Sequence, residues 1–151
     1  MRIALIVSQY HDFVTARLEA GARAVLVERG VSDGEITTLT VPGAYELAQA
    51  AARVARTGQW SAVVCLGCLI KGETPHFDYI AQAAAHGIMR AAQETGVPIA
   101  FGVLTTNTAE EALARAADGP ANKGREAAIA AFEMAELYAR IDAARPPAGS
   151  P

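Results

Sequence analysis

Apolar residues fall into two alternating textures along this chain. Continuous runs of strand length occur at "RIALIVS" (2–8), "EITTLTV" (35–41), "AVVCLGCLI" (62–70) and "VPIAFGVLT" (97–105). Between them, apolar positions recur every three or four residues. Unbroken runs suit strands covered on both faces, and the longer spacing suits amphipathic helices. The first periodic stretch, 12–29, puts Phe13, Val14, Leu18, Ala22, Val25 and Leu26 on one predicted face and stops at Gly30. A second helix is predicted from Pro42-Gly43 to about Arg56, and a third from the loop after Ile70 to about Gly96. Thr108 and Glu111 spell T-x-x-E, a capping box that opens a short helix. That helix breaks at Asp118-Gly119-Pro120, and a last one runs from Lys123 to Arg140.

The order βαβαβαβαα predicts an α/β protein. Right-handed crossovers then give a single-domain three-layer α/β/α sandwich around a four-stranded parallel, flavodoxin-like sheet. The domain is expected over 1–143, with "ARPPAGSP" (144–151) a disordered tail that carries no core residue.

Composition narrows the function classes. A chain of 151 residues fits one domain with one core. Hydrophobic residues make up 52%, much of it alanine, which lets helices approach closely within and between subunits. A net charge of −3 without a basic cluster lacks the electrostatic footprint of nucleic-acid binding. The longest apolar run, Ala62 to Ile70, is less than half a membrane span, so no membrane partner is expected. "IALIV" is too short for a signal-peptide core, which points to the cytoplasm. Cys65 and Cys68 are spaced C-x-x-C, but no second ligand pair completes a zinc site. On a strand, residues three apart face opposite ways, so these are expected to be separate buried thiols, with no metal.

Ligands of parallel sheets bind beyond the carboxyl ends of the strands. The segments there are Gln9-Tyr10-His11, Pro42 to Glu46, Lys71 to His76 and Thr106-Asn107. The third belongs to "KGETPHFDY" (71–79), which gathers a cation, carboxylates, a hydroxyl and an imidazole. Gly72-Glu73-Thr74 in a strand-to-helix turn fits an anion site built on a helix N-terminus, and it equally fits an ordinary capped loop. His76 is the natural proton-transfer group at neutral pH, whereas His86, amid alanines, reads as packing. His11 lies at the ligand edge. Glu46 suits either a helix dipole or a polyol. Tyr10 suits either a flat ring or the core edge, and Arg115 reads as a solvated arginine.

Three segments, "VPGAYEL" (41–47), "GCLIKGETPHFDY" (67–79) and "FGVLTTNTAEEALARA" with "NKGREAA" (101–116, 122–128), carry a resemblance to the lumazine synthases of riboflavin biosynthesis. With the "SQYHDFVT" opening, the similarity extends over nearly the whole chain. It implies a transferase that condenses 5-amino-6-(D-ribitylamino)uracil with 3,4-dihydroxy-2-butanone 4-phosphate, with no metal and no organic cofactor. The family pattern makes Tyr10 a stacking platform for the pyrimidine. It gives Ala44, Tyr45 and Glu46 to the ribityl chain and ring, and lines the pyrimidine site with Cys68, Leu69 and Ile70. Glu73 and Thr74 would hold the phosphate, and His76 would transfer protons. Phe101, Arg115 and Lys123 match positions supplied by a neighbouring subunit, with Arg115 on the phosphate. The resemblance therefore implies an active site between subunits of a homopentamer-based homo-oligomer acting on small molecules.

Tyr10-His11 departs from the Phe-Asn of many members, and Ala48 from a frequent proline. The break "ADGPANKG" and the start of the chain near its first core strand lean towards a free pentamer. Tyr10-His11 also raises an alternative, a slow paralogue that binds flavins or lumazines.

Overall fold

The computed structural model describes residues 1–149. Four strands, β1 (Ile3–Ser8), β2 (Ile36–Val41), β3 (Ala62–Ile70) and β4 (Ile99–Thr106), form one sheet in the order β2-β1-β3-β4. Every pairing is parallel. The helices are α1 (Asp12–Glu28), α2 (Leu47–Ala55), α3 (His76–Thr95), α4 (Ala109–Arg115) and α5 (Lys123–Ala143), with short 3₁₀ turns at Asp33–Glu35 and Ala44–Glu46.

The unbroken apolar runs become strands because each face of the sheet has its own helix layer. Ile3, Leu5 and Val7 of β1 and Val64, Leu66 and Cys68 of β3 pack with α1 and α5 residues such as Leu18, Leu26, Ala128 and Phe132. The intervening Ala4 and Ile6, with Val63 and Cys65, meet Leu47, Ala51 and Ile88 of the α2–α3 layer. This is the three-layer flavodoxin-like sandwich expected from the element order. Cys65 and Cys68 sit in different layers as free thiols. Burial pushes them up to about 12 and about 11, so both stay protonated at neutral pH.

Local signals explain most boundaries. Thr108 Oγ1 accepts from the Glu111 amide at 3.1 Å, while the Glu111 carboxylate returns to the Asn107 amide at 2.9 Å, one residue before the expected partner. Gly96 ends α3 in the left-handed region with φ 70°. The second predicted helix starts later than its Pro-Gly signal, because a 3₁₀ turn at Ala44–Glu46 precedes α2. Two assignments to packing are corrected. Phe13 stays 47% exposed, because it lies beside the ligand edge and not under the helix. His86 is exposed on the outer face of α3. Ala144 to Gly149 is likewise exposed, and Ser150 and Pro151 of the expected tail lie outside the described residues. Among the described residues no helix is long and apolar enough to cross a membrane.

Close layer contact sets a steric limit at Gly102 on β4. A Cβ added there would lie 2.7 Å from Leu66 Cδ2, 2.8 Å from the Cys65 carbonyl oxygen and 3.0 Å from Ala127 Cβ. The carbonyl belongs to the neighbouring strand and cannot move aside. Gly102→Ala is expected to destabilise the fold by about 1–3 kcal/mol, as overpacked cores do, and thermal unfolding measures it. An unchanged melting temperature would show that β4 and α5 are less tightly joined than described.

Candidate active site

The sheet reverses its direction of growth between β1 and β3, since the chain passes from β1 outward to β2 and from β3 outward to β4. Such a switch point leaves a crevice beyond the strand ends. Backbone hydrogen bonds draw the loops together around it. Gln9 N donates to Val41 O at 2.8 Å and Tyr10 N to Pro42 O at 3.1 Å, joining the loops after β1 and β2. Lys71 N donates to Thr106 O at 2.9 Å, tying the loop after β3 to the end of β4.

A cavity of about 520 Å³ opens at this edge, enough for a small molecule. Its walls bring together Tyr10, His11, Ala44, Tyr45, Glu46, Leu69, Ile70, Thr74 and His76 from three strand-end segments. Tyr10 is 68% exposed on the cavity wall. Its ring centroid lies 4.5 Å from the imidazole of His11, which in turn meets Phe13 edge-on at 5.8 Å. His11 holds the left-handed backbone, φ 62° and ψ 44°, and its carbonyl accepts from the amides of Val14 and Thr15 at the start of α1. Histidine tolerates that conformation better than branched residues do, and strained backbone tends to gather at working sites.

The 20-residue α3 begins at His76, on the cavity wall. Its N-cap, Pro75, contributes no side-chain hydrogen bond, so the positive end of the helix dipole meets the cavity uncapped. Phe77 and Ile80 of the first turn add an apolar strip to the same wall. Sequence reasoning passed over both, although their three-residue spacing places them on one helical face with the site.

Some expected residues stand apart. Cys68 is buried in the α1–α5 layer and does not line the cavity. Glu73 lies exposed in the loop, also off the wall. Phe101, Arg115 and Lys123 come together elsewhere, in a second concavity of about 320 Å³ along β4, an edge strand. The two concavities share no lining residue. Phe101 is 46% exposed there. Arg115 Nη1 bonds back to Glu111 O at 3.1 Å, and Lys123 Nζ pairs with Glu126 at 2.8 Å. The cavity at the switch point thus has rings, a carboxylate and an imidazole, while the arginine and a further lysine are held on another part of the same chain.

Comparison with known proteins gives one consistent result. The family model described as 6,7-dimethyl-8-ribityllumazine synthase matches residues 1–139. A protein of that name from Salinibacter ruber is 46% identical over 141 residues, covering 93% of this chain and 90% of its own. Another from Chlorobium phaeovibrioides is 50% identical over 137 residues, covering 91% and 88%.

Partial burial lowers the pKa of His11 from its ordinary 6.5 by desolvating the imidazolium. The folded protein then binds this proton more weakly than the unfolded chain does. The group therefore favours the folded state above about 6.5, and that contribution is lost as pH falls through the depressed value. An NMR titration is expected to place the His11 midpoint below 6.5; a midpoint at or above it would contradict the burial described.

Proposed function

Since the chain belongs to the 6,7-dimethyl-8-ribityllumazine synthase family, we infer that it is a transferase completing a lumazine ring from a ribitylamino-pyrimidinedione and a dihydroxybutanone phosphate. The pyrimidine's primary amine adds to the ketone and expels water to give an imine. Loss of the proton from the neighbouring hydroxyl-bearing carbon expels inorganic phosphate and leaves an enol, which tautomerises to a new ketone. Attack of the ribityl-bearing nitrogen on that carbonyl, with loss of a second water, closes the ring. No electron is gained or lost overall, so the balance calls for no redox partner.

The observation that carries the residue assignment is the division of groups between two concavities. Tyr10 offers its face to the pyrimidine, and the Ala44–Tyr45 backbone with the Glu46 carboxylate suits the ring and ribityl hydroxyls. Leu69 and Ile70 form an apolar floor, with Cys68 supporting it from the core. Thr74 and the start of α3 suit a phosphate, and Glu73 contributes through its loop backbone. His76, on the rim, moves the protons that the eliminations require. A dianionic phosphate also needs a cation fixed opposite, and the Arg115 guanidinium has the fork geometry for it. Arg115 stands in the other concavity with Phe101 and Lys123. A second copy of the chain, laying its β4 edge over the first copy's cavity, supplies all three residues at once.

On this reading the protein works as a pentamer-based homo-oligomer. We read it as a cytoplasmic enzyme, as suits a biosynthetic family acting on small molecules. Its partners are small molecules, and the absence of a basic cluster argues against nucleic acid. Much of the rate gain comes from holding two reactants in register, with proton transfer adding a smaller factor.

Steady-state kinetics with both substrates tests these roles. His76→Ala is expected to lower kcat by about a hundredfold, the lower range for a positioned acid–base group, with KM little changed. Arg115→Ala is expected to raise KM for the phosphate-bearing substrate at least about tenfold, the worth of a charge-assisted hydrogen bond, and to slow turnover. Lumazine forming no faster than in buffer would remove the enzyme reading in favour of a binding protein. Unaltered phosphate dependence in Arg115→Ala would refute the division of the site.

A further inference from the structure

One polar side chain outside both concavities is fully engaged and has no role so far. Asn122 is 1% exposed, in the connection between α4 and α5. Its Oδ1 accepts from the amides of Gly124 at 2.8 Å and Arg125 at 3.1 Å, capping α5. Its Nδ2 donates to the carbonyl of Ala116 at 2.9 Å, just past α4, and to that of Arg17 in α1 at 3.2 Å. Its own amide donates to Gly119 O, and its carbonyl accepts from Glu126 N, each at 3.2 Å. One side chain therefore joins α1, the end of α4 and the start of α5. The neighbouring helix is shaped to admit it, since a Cβ at Gly21 would overlap Asn122 Oδ1.

Capping alone does not account for this arrangement. Serine, threonine or aspartate caps a helix as well as asparagine does, but none brings two N–H groups to carbonyls of other segments. The anchors sit beside the charged residues of the second concavity. Ala116 directly follows Arg115, and Lys123 directly follows Asn122. Arg115 needs such an anchor. It ends a helix of only seven residues, too short to be stable by itself, and its flexible side chain is exposed.

We propose that Asn122 is a positioning residue for the reaction. It clamps the end of α4 to the start of α5 and so fixes Arg115 relative to Lys123 for the phosphate-bearing substrate. This role rests on the divided-site reading above, and the experiment separates the two.

Asn122→Ser keeps an α5 cap and removes both donations to carbonyls. In the native assembly, KM for the phosphate-bearing substrate and the inhibition constant of inorganic phosphate are expected to rise about tenfold together, the cost of leaving buried groups mispaired. KM for the pyrimidine substrate should hardly move. In an Arg115→Ala background the same change should add nothing further to either phosphate readout, because both act through one guanidinium. A lowered melting temperature with phosphate affinity intact, equal losses for both substrates, or additive effects with Arg115→Ala would each overturn the positioning role. If Arg115→Ala itself left phosphate affinity unchanged, the divided site would fall and this role with it. Should Asn122→Ser not assemble, Asn122→Asp retains the shape and cap while setting a carboxylate oxygen against the two carbonyls. The same selective loss is then expected, and its absence counts against the proposal.

Discussion

Parallel pairing of β1 with β3, buried on both faces, is the constraint from which the rest of the molecule follows. Register pairs such as Ile6 with Cys65 and Val7 with Leu66 lock the two strands in the same direction. Each face must then be covered, and each strand must return through a helix. Every strand-end loop is thereby delivered to one side of the sheet. The chemistry-bearing loops after β1, β2 and β3 have no other place to go. Their hydrophobic strands supply the rigidity that the exposed loops lack.

The same topology leaves the candidate groups of one chain in two separate concavities. β4 is an edge strand, and its outer border carries Phe101 with Arg115 and Lys123 close by. An exposed sheet edge with a half-exposed aromatic ring is the kind of surface that pairs with another chain. On the proposed reading, dividing the groups in this way couples assembly to activity. The cavity's rings and imidazole lie in one concavity, and in the proposed reading Arg115 reaches the phosphate from a neighbouring copy. Asn122 fits this logic as a device that keeps the donated cation in register without touching substrate.

Much of this was legible in the residues. "AVVCLGCLI" could hardly be anything but a buried strand, and Thr108 with Glu111 announced α4 at its true N-cap. Opposite-facing Cys65 and Cys68 followed from strand periodicity alone. Patterns failed where tertiary contact decided the outcome. Phe13 has the right spacing for a core helix face, yet it lies where the helix meets the open edge. His86 sits among alanines, but on the side of α3 turned away from the sheet. Arg115 read as a solvated arginine from its neighbours, and the structure leaves it exposed; its proposed phosphate role rests on the family resemblance. Asn122 reaches Arg17, distant in sequence, and no local spacing encodes that bond. The left-handed turn at His11 was equally silent, since histidine announces φ far less clearly than glycine.

The central claim, that one working site is built from two chains, is open to a direct test with two impaired variants. Subunits carrying His76→Ala and subunits carrying Arg115→Ala are dissociated, mixed and reassembled, and lumazine formation is measured. Interfaces that join an intact His76 from one chain to an intact Arg115 from the other should regain native turnover, so the mixture should exceed the sum of its separate parts. Activity no greater than that sum, in assemblies shown to contain both chains, would mean that each subunit holds its whole site alone.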